Sequence, residues 1–303
     1  MIHRLMLITI AASLLLAAAV AVWLRQRFGW PWPIAALAGL GLPLLMHACL
    51  IGTQFIISAA FRRASGQRFP ATVALRAWVG EIIASLRTFV YAQLRYGNRP
   101  PPAGGDTAGD GSTSKTAVLL VHGYICDHRI WHPLARWLAQ GGHQVDAIDL
   151  EPPFRDIDDY APQLAEAVAR LRERNGGRPI AIIAHSMGGL VARAYLARYG
   201  GAAVAALVTL GSPHQGTWMA HFGHSRSVLQ MRPGSRWLAA LDLSEDAALR
   251  ARFTVIISQH DNIVVPQIAQ TLAGARTHVL TGLGHVQLAY DHAVWALIAQ
   301  ALR

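Results

Sequence analysis

Acidic side chains are nearly missing from the first third of this chain. Residues 1–100 hold ten arginines and a single acid, Glu81, whereas residues 101–303 hold 17 basic and 16 acidic side chains, which almost cancel. The formal charge of +10 therefore belongs to the N-terminal third. That distribution argues against a nucleic-acid partner for the remainder. It suits an anionic lipid surface beside apolar helices. Cysteine is equally scarce: Cys49 and Cys126 are the only two, in regions of different character, which excludes a disulfide framework.

Charge of either sign is also absent from two long stretches. Leu5 to Leu24 is uncharged and interrupted only by Thr9 and Ser13, long enough to span a bilayer. Ala17-Ala18-Ala19 would suit a signal peptidase, but a second uncharged run, Ile34 to Phe61, favours two spans (about 5–24 and 34–61) joined by a short loop. Pro43 predicts a kink or a helix–helix contact in the second. His47 and Gln54 are expected to bind each other or backbone. Arginines flank the spans unevenly: Arg4, Arg62, Arg63, Arg68 and Arg76 on one side, Arg25 and Arg27 on the other. The bias puts the N-terminus and the C-terminal part together in the cytoplasm of a multi-pass inner (cell) membrane protein.

Residues 72–96 repeat apolar side chains at Leu75, Trp78, Val79, Ile82, Ile83, Leu86, Phe89, Val90 and Leu94, one face of an amphipathic helix. It either lies in the membrane interface or packs on the rest of the protein. Residues 97–116 turn to Pro, Gly, Asp, Ser and Thr and read as a flexible linker, dividing a membrane region (1–96) from a second domain (117–303). Within 117–303, short apolar runs alternate with helical patterns: strands at Ala117–Val121, Val145–Leu150, Ile180–Ala184, Val204–Leu210, Phe253–Ser258 and Thr277–Leu280, with helices at 130–140, 157–174 and 290–302. That alternation predicts an α/β fold, a mostly parallel sheet with helices on both faces.

The third strand runs into Ala184-His185-Ser186-Met187-Gly188, a strand–turn–helix that lifts a serine hydroxyl over the sheet edge. A serine needs a base, a group to orient the base, and donors for the oxyanion. His285, in the glycine-flanked loop after the last strand, is the candidate base. Asp261, directly after the fifth strand, is the candidate acid, with Asp242 next in line. The candidate oxyanion donors are the backbone N–H groups of Met187 and of Tyr124, which follows His122-Gly123 after the first strand. His122 is expected to orient that loop through its ring nitrogens.

These residues resemble the α/β-hydrolase superfamily, and within it the bacterial lipase- and esterase-like serine hydrolases. The resemblance covers about residues 117–303 and includes Gly211-Ser212-Pro213-His214-Gln215-Gly216-Thr217, which looks like the loop that shapes the acyl pocket. It implies cleavage of carboxylic, lipid-like acyl esters through an acyl-enzyme. An acyltransferase or thioesterase could use the same triad, and a non-catalytic module could bind an acyl ligand or a partner. Residues 214–250 carry an apolar insertion that reads either as a lid or acyl pocket over the site or as an ordinary connecting helix with a core face. His214, His221 and His224 lack a nearby carboxylate or cysteine, so no metal is expected, nor any cofactor. Cys126 is expected to pack rather than react.

Overall fold

The computed structural model describes residues 1–102 and 115–303; most of the expected linker thus lies outside the described residues. Six parallel strands form one sheet: β1 (Val118–Val121), β2 (Val145–Ile148), β3 (Ile180–His185), β4 (Val204–Leu210), β5 (Phe253–Ser258) and β6 (Arg276–Leu280), in the order β2-β1-β3-β4-β5-β6. The fold is that of the α/β-hydrolases. Central strands β1, β3 and β5 are buried along their whole length, which is why they read as unbroken apolar runs rather than alternating ones. The chain leaves β1 toward β2 on one side and returns to β3 on the other. Ligand crevices in such sheets form at the carboxyl ends of strands at this reversal. The loop after β1 and the turn after β3 both lie there.

The N-terminal third is helical: α1 (Ile2–Phe28), α2 (Trp32–Ala64), α3 (Ala71–Leu86), a π-helical turn (Arg87–Tyr91) and α4 (Ala92–Tyr96). In the rest of the chain, α5 (His132–Gln140), α6 (Ala161–Arg174) and α7 (Met187–Tyr199) follow β1, β2 and β3 in turn; the short α8 (Arg226–Gln230), α9 (Arg236–Leu243) and α10 (Ala247–Arg250) follow β4, and α11 (His292–Ala301) ends the chain. One face of the sheet buries Leu164, Leu171, Leu190 and Val191 of α6 and α7. The other buries Leu134 and Leu138 of α5 with Val294 and Ile298 of α11.

Helices α1 and α2 are long and apolar enough to cross a membrane. They pair as a hairpin, and a Cβ on Gly39 would lie 2.2 Å from the Ala17 carbonyl oxygen, the close backbone approach that small residues permit. Helix α2 continues without a break past Pro43. Its last turns differ from the expected span. Phe55, Ser58 and Arg62 are buried, because this end of the helix packs against the sheet-bearing part rather than continuing a lipid-facing run. Gln54 does not pair with His47 but accepts a hydrogen bond from Asn262 Nδ2 (2.7 Å).

Helix α3 is amphipathic in the inverse sense. Its small and polar residues Ala77, Glu81, Ala84 and Ser85 face inward and are buried, while Leu75, Val79 and Ile83 are exposed. The inner face packs on the protein, one of the two expected placements, and an apolar stripe points away from it. Beyond α4, Gly97 and Arg99 give their carbonyls to Arg129 Nε (2.5 Å) and to His128 and His132, so the start of the expected linker is held against the loop after β1.

Candidate active site

Ser186 stands at φ 57°, ψ −129° between β3 and α7, a backbone region that non-glycine residues rarely occupy and that marks sites held under strain. The turn tolerates no side chain at its contacts. A Cβ on Gly188 would meet the His122 carbonyl oxygen at 2.5 Å, and one on Gly123 would meet Ser186 Cβ at 2.7 Å. The loop after β1 is therefore pressed against the serine. His122 fixes that loop as expected: its Nδ1 donates to the Gly123 carbonyl (2.8 Å), and its Nε2 accepts from Leu150 N–H (3.0 Å). Burial lowers its pKa and keeps the ring neutral. Among the described residues neither the Tyr124 nor the Met187 backbone N–H has a hydrogen-bond partner, which leaves both free to bind an oxyanion.

Asp261 and His285 are brought together. Asp261 Oδ2 accepts from His285 Nδ1 at 2.8 Å, and Oδ1 accepts the N–H groups of Ile263 and Val264, each at 2.8 Å. Burial works against a protonated His285, but the Asp261 charge, its hydrogen bond and the Glu81 charge outweigh it and raise the pKa. Beneath it, His185 Nε2 donates to the His285 carbonyl (3.0 Å), with the rings 4.7 Å apart. Burial, then the His285 charge, lowers His185 to about 3. Ser186 Oγ has no hydrogen-bond partner among the described residues. In structures without substrate the serine–histidine bond is often open.

The alternative acid is committed elsewhere. Asp242 pairs with Arg193 (2.5 Å) and Arg250 (3.0 Å), and the buried Arg193 also holds Glu245 at 2.6 Å. This cluster ties α9 and the segment before α10 to α7. Cys126 is buried, and burial followed by the Asp127 charge pushes its thiol well up, so it packs rather than attacks. His214 is a core residue, bonded through Nε2 to Thr209 Oγ1 (3.0 Å).

A cavity of about 360 Å³ opens at Ser186, lined by Tyr124, Pro213, Met219, Phe222, Val228 and Met231 among others. It is mostly apolar and draws on the loop after β1, the Gly211–Thr217 segment and the insertion.

Sequence reasoning missed the contribution of the N-terminal helices. Glu81, buried on α3, accepts the N–H groups of Val286 (2.9 Å) and Gln287 (3.0 Å), the two residues after His285. Ser58 Oγ donates to the Asp261 carbonyl (2.7 Å), and Asn262, held by Gln54, accepts His285 N–H through Oδ1 (3.0 Å). The one signal available was Glu81 itself, the lone acid of residues 1–100 in an apolar helix.

Residues 116–238 match the α/β hydrolase fold family. Among solved structures the chain is similar to the mature form of lipase BlEst2 from Bacillus licheniformis, with 16% identity, TM-score 0.56, and coverage of 64% of this chain and 94% of that one. It is also similar to lipase B from Aspergillus fumigatus (19%, TM-score 0.57, 67% and 54%) and to phospholipase PlaB from Legionella pneumophila (17%, TM-score 0.50, 62% and 59%).

Proposed function

From its α/β-hydrolase fold and the matched segment, residues 116–238, we propose that the chain is a membrane-anchored serine hydrolase of lipid-like carboxylic esters. The observation that carries this reading is Ser186 at positive φ, lining an apolar cavity, in a chain that also pairs Asp261 with His285 at 2.8 Å. Ser186 Oγ attacks the ester carbonyl while His285 Nε2 takes its proton. The developing oxyanion is met by the Tyr124 and Met187 N–H groups. His285 then passes the proton to the departing alkoxide, leaving an acyl-serine and free alcohol. Water, deprotonated by the same imidazole, releases the acid. Asp261 holds the imidazole in the tautomer that leaves Nε2 free and stabilises the imidazolium.

The apolar lining favours an acyl chain over a polar substrate, and the lipase and phospholipase among the similar folds fit that preference. Residues 1–96 act as the membrane region, with α1 and α2 as spans and the hydrolase domain (117–303) on the cytoplasmic face of a bacterial inner membrane. The test is turnover of p-nitrophenyl acyl esters by the full chain in detergent. A rapid burst of nitrophenol equal to enzyme, followed by slower steady release, is expected for the acyl-enzyme. No release above the buffer rate for any chain length would contradict the proposal.

A further inference from the structure

A second cavity, of about 530 Å³, lies where α2 ends and α3 begins. It is lined by Arg62 and Arg63 of α2, Gln67 and Arg68 of the connecting turn, Ala71 and Ala74 of α3, and His260. It shares no lining residue with the cavity at Ser186. Three arginines thus line it. Among the described residues none of the three forms an ion pair with a carboxylate, and the only acid of residues 1–100, Glu81, is engaged by the Val286 and Gln287 N–H groups.

Arg62 is the telling residue. Only 5% of it is exposed, and among the described residues its guanidinium gives one hydrogen bond, from Nη1 to Ser58 Oγ (2.6 Å). A cation removed from water without a counter-ion is costly, and buried charges are ordinarily paired. His260, fully buried, points the same way. Its Nδ1 accepts the Gly282 N–H (3.1 Å), so its proton sits on Nε2, which has no hydrogen-bond partner among the described residues. Burial, then the Arg62 charge, lowers its pKa to about 4, so the ring is a neutral donor. An oxyanion in the cavity would supply the counter-charge that Arg62 lacks, and the arginine fork matches phosphate oxygens two at a time.

We propose that this cavity binds a phosphate group, carried by an anionic lipid headgroup or by a free phosphate. Its position at the end of the apolar run of α2 puts it at headgroup depth if that helix spans. Arg62 connects it to the active site by one step, since the Ser58 hydroxyl that accepts from Arg62 donates to the Asp261 carbonyl.

The test measures the Tm of the full chain under two conditions, with wild type compared to the Arg63→Gln/Arg68→Gln double variant. Both substituted side chains are exposed, so the double variant should fold; single Arg68→Gln should respond to an intermediate degree. In neutral detergent, inorganic phosphate is titrated against chloride at equal ionic strength. In nanodiscs, pure phosphatidylcholine is compared with a phosphatidylcholine–phosphatidylglycerol mixture. A saturable rise of several degrees with inorganic phosphate, absent in the double variant, identifies a free phosphate as sufficient. A rise confined to the phosphatidylglycerol discs and absent in the double variant identifies the headgroup. No rise in either arm, or an equal rise in the double variant, overturns the proposal.

Discussion

Asp261 touches both halves of the molecule at once. Its carboxylate faces His285, while its carbonyl accepts from Ser58 on α2 and from Gln267 Nε2 (3.0 Å). Asp261→Asn keeps the shape but favours the wrong imidazole tautomer, so kcat should fall by about 10⁴-fold with KM little changed. An Asn variant with unaltered kcat would move the acid elsewhere. Ser186→Ala and His285→Ala should each remove ester turnover by several orders of magnitude, because the two act as a unit, and circular dichroism should stay that of the wild type. Glu81 makes a finer point. Its charge helps raise the His285 pKa, and in the proposed mechanism the neutral imidazole is the base, so the acid limb of kcat/KM follows that pKa. Glu81→Gln should therefore move the limb to lower pH, with the wild-type limb lying above the ordinary histidine value. An unmoved limb would show that Glu81 only shapes the loop. Ser186, Asp261 and His285 were legible because each follows its own strand in a set order. Glu81, Ser58 and Gln54 were not, since their partners lie 203 to 208 residues away and no local pattern links them.

At the level of elements, the strands were legible almost to the residue, since buried parallel strands are short apolar runs bounded by turns. Helix α2 was legible as apolar but not in where its lipid-facing part stops, because Phe55 and Ser58 look the same in sequence whether they meet lipid or protein. The inverse amphipathicity of α3 was hidden for a related reason: a sequence shows which face is apolar but not which face meets the protein. The α3 contact is tight. A Cβ on Gly284 would come within 2.4 Å of Glu81 Oε2 and 2.6 Å of Glu81 Cβ. Glu81 cannot swing away without leaving two backbone N–H groups unpaired. Gly284→Ala should thus cost about 1–3 kcal/mol, read as a drop in Tm, together with reduced ester turnover. A wild-type Tm would mean that α3 is not seated on the His285 loop.

For the whole molecule, both ends of the helical hairpin meet the sheet-bearing part. The Met1 amino group pairs with Glu151, and Ser58 reaches Asp261. Helix α1 rises about 40 Å at 1.5 Å per residue, and its far end and the turn into α2 carry Trp23, Phe28, Trp30 and Trp32, all exposed, as aromatic side chains gather at a membrane–water interface. If the hairpin crosses, the N-terminus and the sheet-bearing part must share one side, which the proposed function takes from the arginine bias to be the cytoplasm. A fluorescent protein fused after Arg303 should glow and alkaline phosphatase fused there should stay inactive; the reverse would put the active site outside. The central claim, that Ser186 is an activated nucleophile, is tested most directly by exposing the folded full chain to a fluorophosphonate and mapping the adduct by mass spectrometry. The account predicts stoichiometric labelling at Ser186, abolished by Ser186→Ala and sharply slowed by His285→Ala. Folded protein that remains unlabelled, or that is labelled at another serine, would contradict it.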